Sequence, residues 1–145
     1  MRALIQRVSS ASVSVDDAVV GEIGVGLLVL LGVGRGDSEE RAVKLADKVA
    51  RLRVFGDERG RLDRSVIDVG GAALCVSQFT LYGDTRRGLR PSFTDAADPA
   101  DGERLYEHFC HELQVREVPV AKGIFGASMS VRLVNEGPVT LLVEA

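Results

Sequence analysis

The chain has 145 residues, 46% hydrophobic and 27% charged, enough for one domain with a real core and too few for two. A net charge of −3 and a pI near 5.4 exclude a protein that coats nucleic acid nonspecifically, because phosphate contacts require an excess of basic residues. The longest apolar stretch, 25–33, is too short to cross a bilayer; two cysteines make neither a disulfide framework nor a zinc site, and no export signal opens the chain. The expectation is a single domain over 1–145 in the cytoplasm, with no membrane span, no DNA partner, no metal and no cofactor.

Residues 1–33 are rich in Val, Ile and Leu and are punctuated by Ser9-Ser10, Asp16-Asp17 and the glycines at 24 and 26, which predicts several short strands. Asp37-Ser38-Glu39-Glu40 resembles a capping box with Asp37 as N-cap. Behind it Ala42, Leu45, Ala46, Val49 and Leu52 recur at three- and four-residue steps, the stripe of a helix packed on a sheet. Residues 56–60 are turn material, and 72–79 form an apolar strand that ends in polar residues. Residues 83–97 have no periodicity and predict an irregular loop, with Arg86, Arg87 and Arg90 as candidate contacts to an RNA backbone. Asp98-Pro99 supplies an N-cap and a first-turn proline for a second helix bearing Leu105, Tyr106, Phe109 and Leu113 on one face. Strands are expected again at 115–120, 128–134 and 139–143. This order predicts an α/β fold: a mixed sheet with two helices on one side and a curled, barrel-like second β layer, three layers in all.

Ser77-Gln78-Phe79-Thr80-Leu81-Tyr82 closes the apolar strand with two hydroxyls, an amide and backbone N–H groups able to form an anion hole around Phe79. These are parts for hydrolysing an acyl ester, with Ser77, Gln78, Phe79 and Thr80 as the catalytic candidates. A hydroxyl nucleophile needs a base, however, and the only histidines, His108 and His111, read as helix-surface residues. Substrate positioning is therefore placed ahead of nucleophilic attack by Thr80. Gly32-Val33-Gly34-Arg35-Gly36-Asp37 imitates a dinucleotide-binding turn but has Asp37 where the last glycine belongs, and it lacks the Lys-Ser/Thr of a phosphate loop. It reads as a plain strand-to-helix turn.

A second segment, Asn135-Glu136-Gly137-Pro138-Val139-Thr140, sets Gly-Pro at the mouth of the last apolar run. Together with Ser77–Tyr82 and the opening Ile5-Gln6-Arg7-Val8-Ser9-Ser10-Ala11-Ser12-Val13, it makes the chain resemble the D-aminoacyl-tRNA deacylases along its whole length. The resemblance implies an editing hydrolase that frees tRNA from D-amino acids. It implies a homodimer in which a cis Gly137-Pro138 bond enters the partner's pocket, and hydrolysis assisted by the 2′-hydroxyl of the terminal adenosine. Arg7 is then expected to brace the Gly-Pro element, and Phe125 and Met129 to lie near the adenosine pocket. A backbone wall that rejects L-aminoacyl groups by excluding their Cβ has no means of rejecting glycine, so glycyl-tRNA, including glycine mischarged on tRNA(Ala), is an expected second substrate. Two other readings stay open at this point: a noncatalytic tRNA-binding module, and a general esterase using Thr80.

Overall fold

A computed structural model describes all residues, 1–145. The strands are β1 (Arg2–Val15), β2 (Ala18–Ile23), β3 (Gly26–Gly32), β4 (Phe55–Gly56), β5 (Leu62–Arg64), β6 (Ala72–Ser77), β7 (Val120–Lys122) and β8 (Ser130–Glu144). The helices are α1 (Glu39–Arg51) and α2 (Pro99–Val115), and one 3₁₀ turn covers Phe79–Tyr82. One edge of β1 pairs antiparallel with β3 over Arg2–Val8 and with β2 over Ala11–Val15; its other edge carries β8 along the whole length. Parallel pairings of β3 with β6 and β6 with β7 complete the mixed sheet. β2 curls back on β7, so that a Cβ added at Gly21 would stand 2.7 Å from the Lys122 carbonyl oxygen. The sheet is nearly a barrel, and β4 and β5 form a small separate hairpin.

The curled sheet has a core on each face. Leu27, Val29 and Leu31 of β3, with Ala73 and Cys75 of β6, meet α1 and α2, while Leu28, Leu74 and Val76 point into the barrel with Val8, Ala11, Val13 and Ile23. Burial on both faces explains why β3 reads as an unbroken apolar run rather than an alternating one. Helix α1 buries Ala42, Leu45, Ala46, Val49 and Ala50, and α2 buries Leu105, Tyr106, Phe109, Cys110 and Leu113. Both helices lie on one side, as expected, and two ion pairs link them: Arg104 to Glu39 at 3.0 Å and Arg116 to Asp47 at 3.2 Å. The two cysteines are free and buried.

Several expectations need correction. Ser9-Ser10 is no turn, because β1 runs through it. Val8 pairs with Asn135 and Ser10 with Val134, so one extra β1 residue is taken up in a bulge. The bulge switches which alternate residues face inward: Ile5 meets the helices, whereas Ala11 and Val13 fill the barrel. The N-cap of α1 is Ser38, whose hydroxyl accepts from the Arg41 N–H at 3.3 Å. Asp37 is occupied elsewhere, its carboxylate accepting from the Gly34 N–H at 2.6 Å and from the Met1 amino group at 2.9 Å. The strand expected at 115–120 is mostly absent, since α2 continues to Val115 and β7 begins only at Val120. The strands expected at 128–134 and 139–143 are one strand, β8, with the Gly-Pro element inside it.

Candidate active site

Strand β6 ends at Ser77, held beside Leu31 of β3, and the Gln78 N–H donates to the Leu31 carbonyl at 2.8 Å. The chain then tightens into the 3₁₀ turn, closed by Leu81 N–H to Gln78 O at 3.2 Å and Gly83 N–H to Thr80 O at 2.9 Å. The N–H groups of Phe79 and Thr80 head this turn and donate to no carbonyl. Arg2 fastens the far end, donating to the Leu81 carbonyl at 2.9 Å and lying 4.5 Å over the Tyr82 ring. Burial, and then the nearby Asp37 carboxylate, push the Tyr82 phenol up to about 12. Its neutral form favours folding fully below pH 10, and this contribution fades as the pH rises through about 12.

Ser77, Gln78 and Phe79 line a cavity of about 550 Å³ together with Phe93, Phe125 and Met129. That volume suits a nucleoside-sized ligand. Phe93 meets Phe79 edge-on with ring centroids 5.1 Å apart. Phe125 rests 6.2 Å from the Tyr106 ring and against Gly102 of α2, where a Cβ would stand 3.4 Å from its Cζ. Tyr106 in turn anchors the helix to the sheet by donating to the Cys75 carbonyl at 2.8 Å. Thr80 is exposed beside the cavity, and the Gln78 side-chain amide donates to its hydroxyl. No histidine lines this site; His108 faces Glu112 on α2 at 3.8 Å. Among the residues that line the cavity, Phe93 was not a sequence candidate; its signal is an aromatic inside an otherwise polar loop.

Gly137 and Pro138 are not part of this cavity. Gln6 pairs with Thr140 and Val8 with Asn135, so three extra β8 residues, Glu136, Gly137 and Pro138, loop out of the ladder. The Gly137-Pro138 peptide is cis, and both residues are exposed. Asn135 spans the base of the bulge, its amide donating to the Arg7 carbonyl at 2.9 Å and to the Val139 carbonyl at 3.0 Å. The Arg7 guanidinium donates to the Glu136 carbonyl at 3.2 Å and the Val54 carbonyl at 2.7 Å, tying the bulge to the segment after α1. Arg7 therefore braces the Gly-Pro element, while Asn135 is a brace that sequence reasoning did not single out. Arg7 pairs with Leu27, four residues along β3 from the Leu31 beside Ser77. At about 3.3 Å per residue and about 4.8 Å per strand, Arg7 stands roughly 16 Å from Ser77 across the sheet, and the bulge, one strand further on β8, roughly 20 Å within one chain.

The loop carrying Arg86, Arg87 and Arg90 leaves the 3₁₀ turn and is pinched by reciprocal bonds between Asp84 and Ser92, 2.7 and 2.9 Å long. All three arginines are exposed. Arg86 is bound to Asp84, with Nη2 to Oδ2 at 2.7 Å and Nε to Oδ1 at 2.9 Å. Hydrogen bonds from the Arg86 side chain and backbone hold the Asp84 carboxyl at about 2, below its ordinary 3.8. The sign is that of a depressed acid: the stabilisation is complete above pH 3.8 and is lost as the pH falls through about 2. Carboxyl-carbon NMR is expected to place the Asp84 midpoint near 2; a midpoint near 3.8 would mean the pair does not persist in solution.

A family model described as D-Tyr-tRNA(Tyr) deacylase matches residues 4–144. The chain is 60% identical over 144 residues to the D-aminoacyl-tRNA deacylase of Ruegeria pomeroyi, covering 99% of both chains. To that of Cereibacter sphaeroides it is 59% identical over 145 residues, covering 100% of each. Among solved structures, one described as c-Myc DNA Unwinding Element Binding Protein superposes with a TM-score of 0.94 at 38% identity, over 100% of this chain and 99% of that one. A probable eukaryotic D-amino acid tRNA deacylase superposes at 0.84 with 19% identity, over 99% and 98%, which shows a common fold. No helix of the chain is long and apolar enough to cross a membrane. With a family match spanning nearly every residue and near-full-length relatives at about 60% identity, the chain belongs to the D-aminoacyl-tRNA deacylases, a family of hydrolases.

Proposed function

We propose that this protein hydrolyses the ester joining a D-aminoacyl group to the 3′ end of tRNA, releasing free D-amino acid and tRNA. The observation that carries the reading is the turn after β6 in a full-length member of this family: Ser77, Gln78 and Phe79 line a nucleoside-sized cavity, and the N–H groups of Phe79 and Thr80 are free to donate. Phe79, Phe93, Phe125 and Met129 hold the terminal adenosine, with aromatic faces for its base. The free N–H groups receive the negative charge that develops on the ester oxygen. No histidine lines the cavity, and its one carboxylate, Asp98, is engaged in capping α2 by accepting from the Asp101 N–H at 3.0 Å, so the adenosine's own 2′-hydroxyl assists the attacking water and Thr80 positions the substrate.

The working unit is a homodimer. Gly137-Pro138 stands too far from Ser77 to act in its own chain's cavity, and β8 leaves Val134, Leu141 and Leu142 exposed beside it. A second copy brings the bulge to the cavity, where its backbone blocks the direction taken by an L side chain. Glycine has no side chain to block, so glycyl-tRNA, including glycine mischarged on tRNA(Ala), is also a substrate. The tRNA backbone leaves the cavity past the loop of Arg86, Arg87 and Arg90. Translation editing in the cytoplasm is the matching cellular role.

The test is deacylation by the purified protein of D-tyrosyl-tRNA, L-tyrosyl-tRNA, glycyl-tRNA and free D-tyrosine methyl ester. Loss of the D-tyrosyl and glycyl esters alone is the expected result. Cleavage of L-tyrosyl-tRNA or of the methyl ester would instead identify a general esterase, and intact glycyl-tRNA would refute discrimination by Cβ exclusion.

A further inference from the structure

The three arginines of the loop after the 3₁₀ turn are not equivalent. Asp84 and Ser92 exchange two backbone hydrogen bonds and close residues 85–91 into a finger. Its base is part of the cavity wall, because Phe93 follows Ser92 directly and packs edge-on against Phe79. A ligand seated in the cavity therefore lies beside the base of the finger. At the tip, Leu89 is fully exposed between Arg87 and Arg90, and neither arginine meets any carboxylate or other acceptor. Arg86, by contrast, gives the Nε–Nη2 edge of its guanidinium to Asp84 in a bidentate pair, and the Asp84 Oδ1 also accepts the Arg86 backbone N–H at 3.0 Å. That charge is neutralised within the loop, and the paired edge holds the finger's shape. In a chain of net charge −3, two unpaired guanidinium groups on a finger that springs from the cavity wall form a local attraction for a polyanion.

Building on the function proposed above, we infer that the finger is a two-point phosphate clamp for the single-stranded end of tRNA. Arg87 and Arg90 contact the backbone, and Arg86 is a positioning residue that Asp84 keeps from the RNA. Each phosphate contact to a single strand contributes about 0.7 to the slope of log affinity against log salt. Between 50 and 200 mM salt this is about a threefold change per contact.

The experiment follows kcat/KM for D-tyrosyl-tRNA deacylation across a KCl series, with Tm measured for every variant. Arg87→Ala and Arg90→Ala are each expected to flatten the salt slope by about 0.7. Arg87→Lys and Arg90→Lys should restore it, since a point charge suffices for a phosphate. Arg86→Ala should flatten it much less than either of those alanine variants, since it removes no phosphate contact, and Lys48→Ala, the charge control on the exposed side of α1, should leave it unchanged. Asp84→Asn, which releases Arg86 from its ion pair, should steepen it. Unchanged slopes in Arg87→Ala and Arg90→Ala, or equal flattening by Arg86→Ala, would overturn the clamp. If no variant, nor the wild type, turns over any tRNA ester, the hydrolytic reading fails. Filter binding of uncharged tRNA over the same salt series then decides the clamp by the same slopes.

Discussion

Gly137→Ala is expected to lower kcat/KM for D-tyrosyl-tRNA by about a hundredfold or more while the protein stays folded. The residue has φ +107°, a left-handed conformation that a side chain strains, and an added Cβ would run into the Arg7 guanidinium. Such strain costs about 1–3 kcal/mol, a shift of a few degrees in Tm. If the bulge were only a feature of the fold, activity would follow the folded fraction and hardly change at 25 °C. If it forms one wall of the partner's substrate site, displacing it by an ångström misplaces the ester and the loss far exceeds the stability change. Arg7→Ala tests the same wall from behind, because it removes the donor to the Glu136 and Val54 carbonyls without touching Gly137. Parallel measurements of activity and thermal unfolding on both variants separate the two accounts.

The second large effect is expected from the substrate. D-tyrosyl-tRNA ending in 2′-deoxyadenosine, with the ester on its 3′-oxygen, should bind nearly as well as the natural substrate yet be hydrolysed about 10²–10⁴-fold more slowly. Ser77 and Gln78 offer the cavity a hydroxyl and an amide, no histidine lines it, and its one carboxylate, Asp98, is engaged with the Asp101 N–H at the start of α2. A hydroxyl next to the ester within the substrate fills the missing role. Thr80→Ala should then cost about tenfold or less, since the Gln78 amide merely loses an acceptor. Full turnover of the deoxy substrate, or near-complete inactivation by Thr80→Ala, would move the chemistry onto the protein.

Much of this architecture is legible in the residue pattern, and the exceptions have definite causes. Helix α2 was predictable at its start because Asp98 and Pro99 act locally, the Asp98 carboxylate accepting from the Asp101 N–H at 3.0 Å. The cap of α1 was misread by one residue because Asp37 and Ser38 are both good N-caps. Tertiary contacts decide between them: the Met1 amino group and the Gly34 N–H claim Asp37 and leave the cap to Ser38. Likewise Ser9-Ser10 is a turn signal within its own few residues, but pairing to β8 along the whole of β1 converts it into a bulge.

Periodicity, capping and polarity are written within a few neighbouring residues, and from them the residue order alone specifies the two helices, the apolar strands and the residue types at the head of the 3₁₀ turn. It also determined which segments carry the family's pattern. It takes the folded chain to show that Phe93 joins Phe79, Phe125 and Met129 around one cavity, that Asp84 claims Arg86 but not Arg87 or Arg90, and that Gly137-Pro138 loops out of a continuous β8 far from Ser77. Each of these depends on strand register and on contacts between residues distant in the chain, which pairwise spacing along the sequence does not encode.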